Sequence, residues 1–150
     1  MKRLHIHLSV NELDKNIEFY STLFGQPPSV KHDDYAKWML DDPKVNFAIS
    51  NRGAQTGLDH LGIQAENEAE LSAIKQQLDA TQAEIQEQKG AACCYSESDK
   101  YWVTDPQGIA WESFHTLKDI PTFNDKQSSS EGENPFACRP ADTKKSSCCG

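Results

Sequence analysis

Two cysteines stand side by side in Lys89-Gly-Ala-Ala-Cys-Cys-Tyr95. A disulfide needs its α-carbons ~4.4–6.8 Å apart, whereas the peptide bond holds sequence neighbours at ~3.8 Å, so bridging one another is unfavourable. What adjacent thiols do well is clamp one soft, thiol-seeking atom, because thiolates are the soft ligands among side chains. The competing reading of Cys93 and Cys94 is two small buried hydrophobes, a common fate of cysteine. A second set of donors is His5, His60 and Glu112. Two imidazoles and one carboxylate with open positions form the pattern of non-haem Fe(II) sites that activate oxygen, and Zn or Ni sites for hydrolysis or isomerisation use the same ligand types. Taken singly, His60 reads equally well as an ordinary core histidine, and Glu112 as a partner of Lys37 or Lys100. Their placement in the chain's elements is what sets them apart.

Leu4 to Val10 alternates and predicts a strand with His5 and His7 on one face. His7 is expected to buttress the ligands from behind or to be a plain polar face residue. A helix follows, with Leu13, Ile17, Tyr20 and Phe24 in one apolar stripe, Asn11 or Asp14 as its cap, and Gly25 with Pro27-Pro28 to end it. Strands are predicted at 36–40 and 45–49, joined by an Asp-Asp-Pro turn. The second half repeats the plan: a strand at 58–64, a helix at 68–78 capped near Asn67, a short strand at 84–88, and strands at 100–104 and 109–114 around Asp105-Pro-Gln-Gly108. The expected fold class is therefore α+β, two βαβββ modules (1–52 and 57–117) that pair to close one core. His60 lies 55 residues after His5, close to one repeat, and Glu112 is central in the last strand with Ala48 as its counterpart in the first module. Two histidines and a carboxylate would thus meet at a pseudo-two-fold whose fourth position is vacant. His32 and His115 lack such support, and His115 should face away from Glu112's side of its strand.

The 150 residues suffice for one such domain, and three Trp and six Phe for its core. A net charge of −8 argues against nucleic acid or an anionic membrane as partner. No run approaches the ~18 apolar residues of a membrane span. Five cysteines, four of them in doublets, are not a disulfide framework and read as a reducing, cytoplasmic setting. Residues 118–150 are polar and charged, and a disordered tail is expected there, ending in a second thiol pair, Cys148-Cys149. That pair, with Cys138, is a candidate for capturing a thiophilic substrate and handing it to Cys93-Cys94.

His5-x-x-Leu-Ser-Val10, Ile17-Glu-Phe-Tyr20 and Leu23-Phe-Gly25 together resemble the opening of the glyoxalase/bleomycin resistance/extradiol dioxygenase (vicinal oxygen chelate) superfamily. Gly57-Leu-Asp-His-Leu-Gly62, Cys93-Cys-Tyr95 and Trp102-Val-Thr-Asp-Pro-Gln-Gly-Ile-Ala-Trp-Glu112 resemble more narrowly its organoarsenical carbon–arsenic lyases, among them proteins called cadmium-induced. The resemblance covers roughly residues 3–116. It implies Fe(II)- and O2-dependent cleavage of the C–As bond of trivalent organoarsenicals such as methylarsenite or trivalent aromatic arsenicals, with arsenite as product. By the same resemblance His5, His60 and Glu112 would hold iron, or another divalent metal, and Cys93 and Cys94 the arsenical. It leaves open a homodimer as well as a site complete within one chain. Two other functions compete: a non-catalytic protein that sequesters arsenicals or cadmium by its thiols, and a glyoxalase-like metal isomerase. The vacancy at Ala48 and the cysteine pair both count against the isomerase.

Overall fold

The computed structural model describes residues 1–53 and 55–121. The elements run β1 (Arg3–Ser9), α1 (Leu13–Phe24), β2 (Val30–His32), β3 (Tyr35–Asp41), β4 (Lys44–Ser50), β5 (Gly57–Ala65), α2 (Glu68–Ala80), β6 (Gln86–Cys93), β7 (Ser96–Thr104) and β8 (Ala110–Asp119). One eight-stranded sheet contains every strand of the described residues, in the order β2-β3-β4-β1-β5-β8-β7-β6. Each βαβββ module contributes four neighbouring strands, and the two modules meet at the antiparallel β1–β5 seam. Within a module the first and last strands pair in parallel, β1 with β4 and β5 with β8. The sheet is curled into a half-barrel. The tail with Cys138, Cys148 and Cys149 lies outside the described residues.

Alternation divides the two faces of this sheet. In the first module Ile6, Leu8, Val45, Phe47, Ile49, Ala36, Trp38 and Leu40 pack with the α1 stripe Leu13, Ile17, Tyr20 and Phe24. Burying side chains of this size stabilises by roughly 1.5–3 kcal/mol each. In the second, Ile63, Ala65 and Tyr101 pack with Leu71, Ile74 and Leu78 of α2. The residues between these apolar positions necessarily face the concave side. They are His5 and His7 on β1, Asn46 and Ala48 on β4, His60 and Gly62 on β5, Lys100 and Trp102 on β7, and Glu112 and Phe114 on β8.

The helix ends show which local signals the chain uses. Asn67 caps α2 as expected, its Oδ1 accepting from the Glu70 N–H at 2.9 Å. The cap expected for α1 at Asn11 or Asp14 does not form: Glu12 precedes the helix without a side-chain cap. Instead the Asn16 side-chain amide donates to the Glu12 carbonyl at 2.9 Å. Gly25 ends α1 at φ 69°, where the N–H groups of Gly25 and Gln26 return to the last-turn carbonyls of Thr22 and Ser21. Strand β6 runs beyond the expected 84–88 to Cys93, past a register shift between Gln88 and Ala91 that Gly90 accommodates at φ 57°.

Candidate active site

The concave face gathers one pocket whose lining includes His5, His60, Glu112, His7, Cys93 and Cys94. All of the candidate residues placed in the described part of the chain therefore meet. His5 Nδ1–H donates to the Asn46 carbonyl across the β1–β4 pairing at 3.0 Å, which leaves the lone pair on Nε2. His60 Nδ1–H donates to the Asp59 carboxylate at 2.6 Å, which turns its Nε2 toward the site, where it can serve as a donor once its proton is lost. These two nitrogens lie 3.1 Å apart. Glu112 Oε2 completes the triangle, 3.7 Å from His5 Nε2 and 3.4 Å from His60 Nε2. A metal bound at about 2.0–2.2 Å by nitrogen and oxygen holds its donors roughly 3–3.6 Å apart, so the three side chains fit a divalent ion with little adjustment. The partners on the far nitrogens are of the kind that orients metal-binding histidines.

Glu112 is shared. Its Oε1 accepts from Lys100 Nζ at 2.7 Å, so the pairing with Lys100 and the contact with the histidines coexist on its two oxygens. Burial alone would raise its pKa, but Lys100, His60 and His5 outweigh burial and hold the carboxyl well below its usual range. Burial likewise opposes the charge on Lys100, but Glu112 and the nearby cysteines outweigh it and keep the ammonium protonated. Burial and the neighbouring His60 lower His5 to about 3. His7 falls to about 4 for the same two reasons. His60 goes the other way. Burial lowers it, but the hydrogen bonds to Asp59 and Glu112 and their charges prevail, and its pKa rises to about 9.

Gly62 fixes how closely β8 can bring its carboxylate. It faces Glu112 across the β5–β8 pairing, and a β-carbon built there would fall 2.3 Å from the Glu112 carbonyl oxygen. Phe114 meets the His5 ring edge-on at 5.2 Å, and Trp102 meets His60 at 5.1 Å. These rings wall the trio on its apolar side.

Cys93 is the last residue of β6, and Cys94 with Tyr95 forms the two-residue tip of the β6–β7 hairpin. Their sulfurs are 3.0 Å apart, far beyond a bonded S–S length. Both cysteines are half-buried rather than lost in the core. Cys94 and Tyr95 have φ 56° and 62°, the left-handed region that type I′ hairpin turns require and that side chains other than Gly and Asn rarely adopt. Nothing in the sequence singled out His32, Asp34 or Arg52 as neighbours of this tip. Tyr95 stacks on His32, ring centres 3.5 Å apart, and its hydroxyl donates to Asp34, which also holds Arg52. Asn46 has its Nδ2 donating to Gln64 at 2.9 Å, while its Oδ1 is buried without a hydrogen-bond partner. Alternation with Ala48 on β4 was the available signal for Asn46. His115 lines a different pocket, on the opposite face from Glu112.

Comparison with known proteins places this geometry among relatives. Residues 2–113 match the model of the Glyoxalase/Bleomycin resistance protein/Dioxygenase superfamily. The trivalent organoarsenical cleaving enzyme of Bacillus sp. (strain MD1) is 41% identical over 119 residues, 77% of this chain and 74% of that enzyme. A cadmium-induced protein of Mycobacterium tuberculosis is 32% identical over 146 residues, 92% of this chain and 93% of the relative. Among solved structures, homoprotocatechuate 2,3-dioxygenase from Brevibacterium fuscum superposes with a TM-score of 0.60 at 16% identity. That likeness covers 80% of this chain and 33% of the dioxygenase, and is one of fold alone.

Proposed function

The chain belongs to the Glyoxalase/Bleomycin resistance protein/Dioxygenase superfamily, and from that premise we propose that it cleaves the carbon–arsenic bond of trivalent organoarsenicals and releases arsenite. The observation that carries this reading is that a thiol pair and a two-imidazole, one-carboxylate trio line the same pocket. The names of relatives at 30–41% identity support arsenicals as the substrate class.

Each part of the pocket has a definable task. Trivalent arsenic with one organic group has two exchangeable valences, and the two cysteines satisfy both. Each thiol adds a sulfur to arsenic and gives its proton to a departing hydroxide, so capture releases two waters and needs no oxidant. Two bonds from neighbouring residues fix the arsenic and leave its carbon as the group free to turn toward the trio, which is catalysis by proximity. His5, His60 and Glu112 would hold Fe(II), or another divalent ion of similar ligand preference. When bound, the metal supplies the oxygen-activating redox chemistry that no side chain here can provide, with O2 as the oxidant. Asp59 and the Asn46 carbonyl orient the two imidazoles, and Lys100 fixes the carboxylate through its other oxygen. Phe114 and Tyr35, both buried, line the same pocket and would limit bulk water there.

The deciding experiment is to incubate Fe(II)-loaded protein with methylarsenite in air and under argon and to speciate the arsenic. Arsenite forming only in air is expected. Methylarsenite that stays protein-bound and intact in both would make the chain a thiol-based sequestering protein. Replacing Cys93 or Cys94 by Ser turns a two-point clamp into a single bond, and arsenical affinity should fall on the order of a hundredfold. Iron content should be unchanged in both variants, and full cleavage activity in both would refute the clamp.

A further inference from the structure

His7 has no task in the scheme above, yet at 1% exposure it is more deeply buried than His5 or His60. It shares the concave face of β1 with His5 and lies directly across from His60 in the antiparallel pairing. On its other side the parallel pairing sets it across from Ala48. The internal repeat gives that position a meaning. His5 corresponds to His60, so His7 corresponds to Gly62. Gly62 faces Glu112, and His7 faces Ala48. Ala48 is thus where the two-fold would supply a second carboxylate, and its methyl group leaves room beside the His7 ring.

The rings are spaced as ligands would be. One donor nitrogen from each of His5, His7 and His60 lies within 4.8 Å of the other two. Ring centres are 5.1 Å apart for His5 and His60, 4.9 Å for His7 and His60, and 6.3 Å for His5 and His7. With metal–nitrogen bonds of about 2.1 Å, imidazole centres fall about 4.5 Å apart on adjacent octahedral positions and about 6.3 Å apart on opposite ones. The observed spacings fall in the range that imidazoles sharing one ion would show. The Ser50 hydroxyl lies 3.0 Å from His7 Nε2. If Nε2–H donates to it, the lone pair stays on Nδ1, and a hydrogen bond on the far nitrogen is how metal-binding histidines are oriented.

We propose that His7 is a fourth protein ligand, entering from β1 at the place Ala48 leaves vacant, so that the ion is held by His5, His7, His60 and Glu112. This rests on the metal reading of the trio. Three imidazoles and one carboxylate favour Fe(II), Co(II), Ni(II) and Zn(II) over Mg(II), Ca(II) or Mn(II).

The test titrates the chelator-treated full-length chain with Co(II) alone. It reads affinity by competition against a chromophoric chelator and reads ligand number from the visible Co(II) spectrum. His7→Ala should bind Co(II) more than roughly tenfold more weakly, the loss known even for residues that only support a ligand. Its visible band should shift, and millimolar imidazole, filling the cavity, should restore both affinity and band. His7→Gln, which keeps the volume and a polar contact to Ser50, should also weaken binding but gain nothing from imidazole. Parent-like affinity and spectrum in His7→Ala would overturn the proposal. His60→Ala and Glu112→Ala, run alongside, separate the two levels. If they lose Co(II) while His7→Ala does not, only the fourth ligand falls. If they too bind like the parent, the metal reading itself fails.

Discussion

At the scale of single residues, the metal-free site is poised between opposite protonation states, and this sets a pH dependence of sign that can be worked out. Folding raises His60 from 6.5 to about 9, because Asp59 and Glu112 outweigh the burial that opposes its charge. Between those values the native state holds a proton that the unfolded chain has lost, so stability falls as pH rises. Burial lowers His5 to about 3 and His7 to about 4. Below 6.5 the unfolded chain therefore binds two protons that the native state refuses, and stability falls as pH drops. The chelator-treated protein should be most stable near pH 6.5, declining on both sides in a thermal-denaturation series from pH 4 to 9. A melting temperature that climbs steadily to pH 9 would contradict the protonated His60. The geometry also shows why the two readings of Glu112 in the sequence, metal ligand and ion-pair partner of Lys100, do not exclude each other. One carboxylate has two oxygens, and here each alternative takes one of them.

At the scale of elements, the strands that carry the trio were legible because they are long and alternate, with apolar residues packing on the helices and polar ones between them. The pieces that escaped are those whose pattern is short or interrupted. Three-residue β2 is below the length at which alternation means anything, and β6 is interrupted by the shift around Gly90. That shift carries the strand on to Cys93 and puts the thiol pair on a hairpin tip rather than in a loop. The tip holds two consecutive non-glycine residues at positive φ, a strain of about 1–3 kcal/mol at each. Cys94→Gly removes both the strain and one thiol. It should melt no lower than the parent, and higher if the turn's strain dominates the lost packing, while arsenical affinity collapses. Both quantities falling together would mean that Cys94 is held by packing rather than placed against its conformational preference.

At the scale of the molecule, the repeat predicts that the two modules pair but not how far the sheet curls, because the curl is registered by contacts with no sequence pattern. The β6–β7 tip, from the far end of the strand order, meets the β2–β3 tip: Tyr95 stacks on His32 and donates to Asp34, about sixty residues away in the chain. Ile120, just past β8, adds a backbone N–H to the Tyr95 carbonyl at 2.9 Å. These contacts join the ends of the half-barrel beside the thiols, whereas the trio sits at the central seam and on β8, held by the β1–β4, β1–β5 and β5–β8 pairings. The two functions of the pocket should therefore separate under mutation. Tyr95→Ala deletes the stack and the Asp34 hydrogen bond without touching the seam. Alkylation of Cys93 and Cys94 by iodoacetamide should quicken severalfold, since the tip then opens at lower free energy, while Co(II) affinity stays within a factor of two of the parent. Equal loss of metal binding would mean that the tip contact holds the whole curl, and that the seam alone cannot keep His5, His60 and Glu112 together.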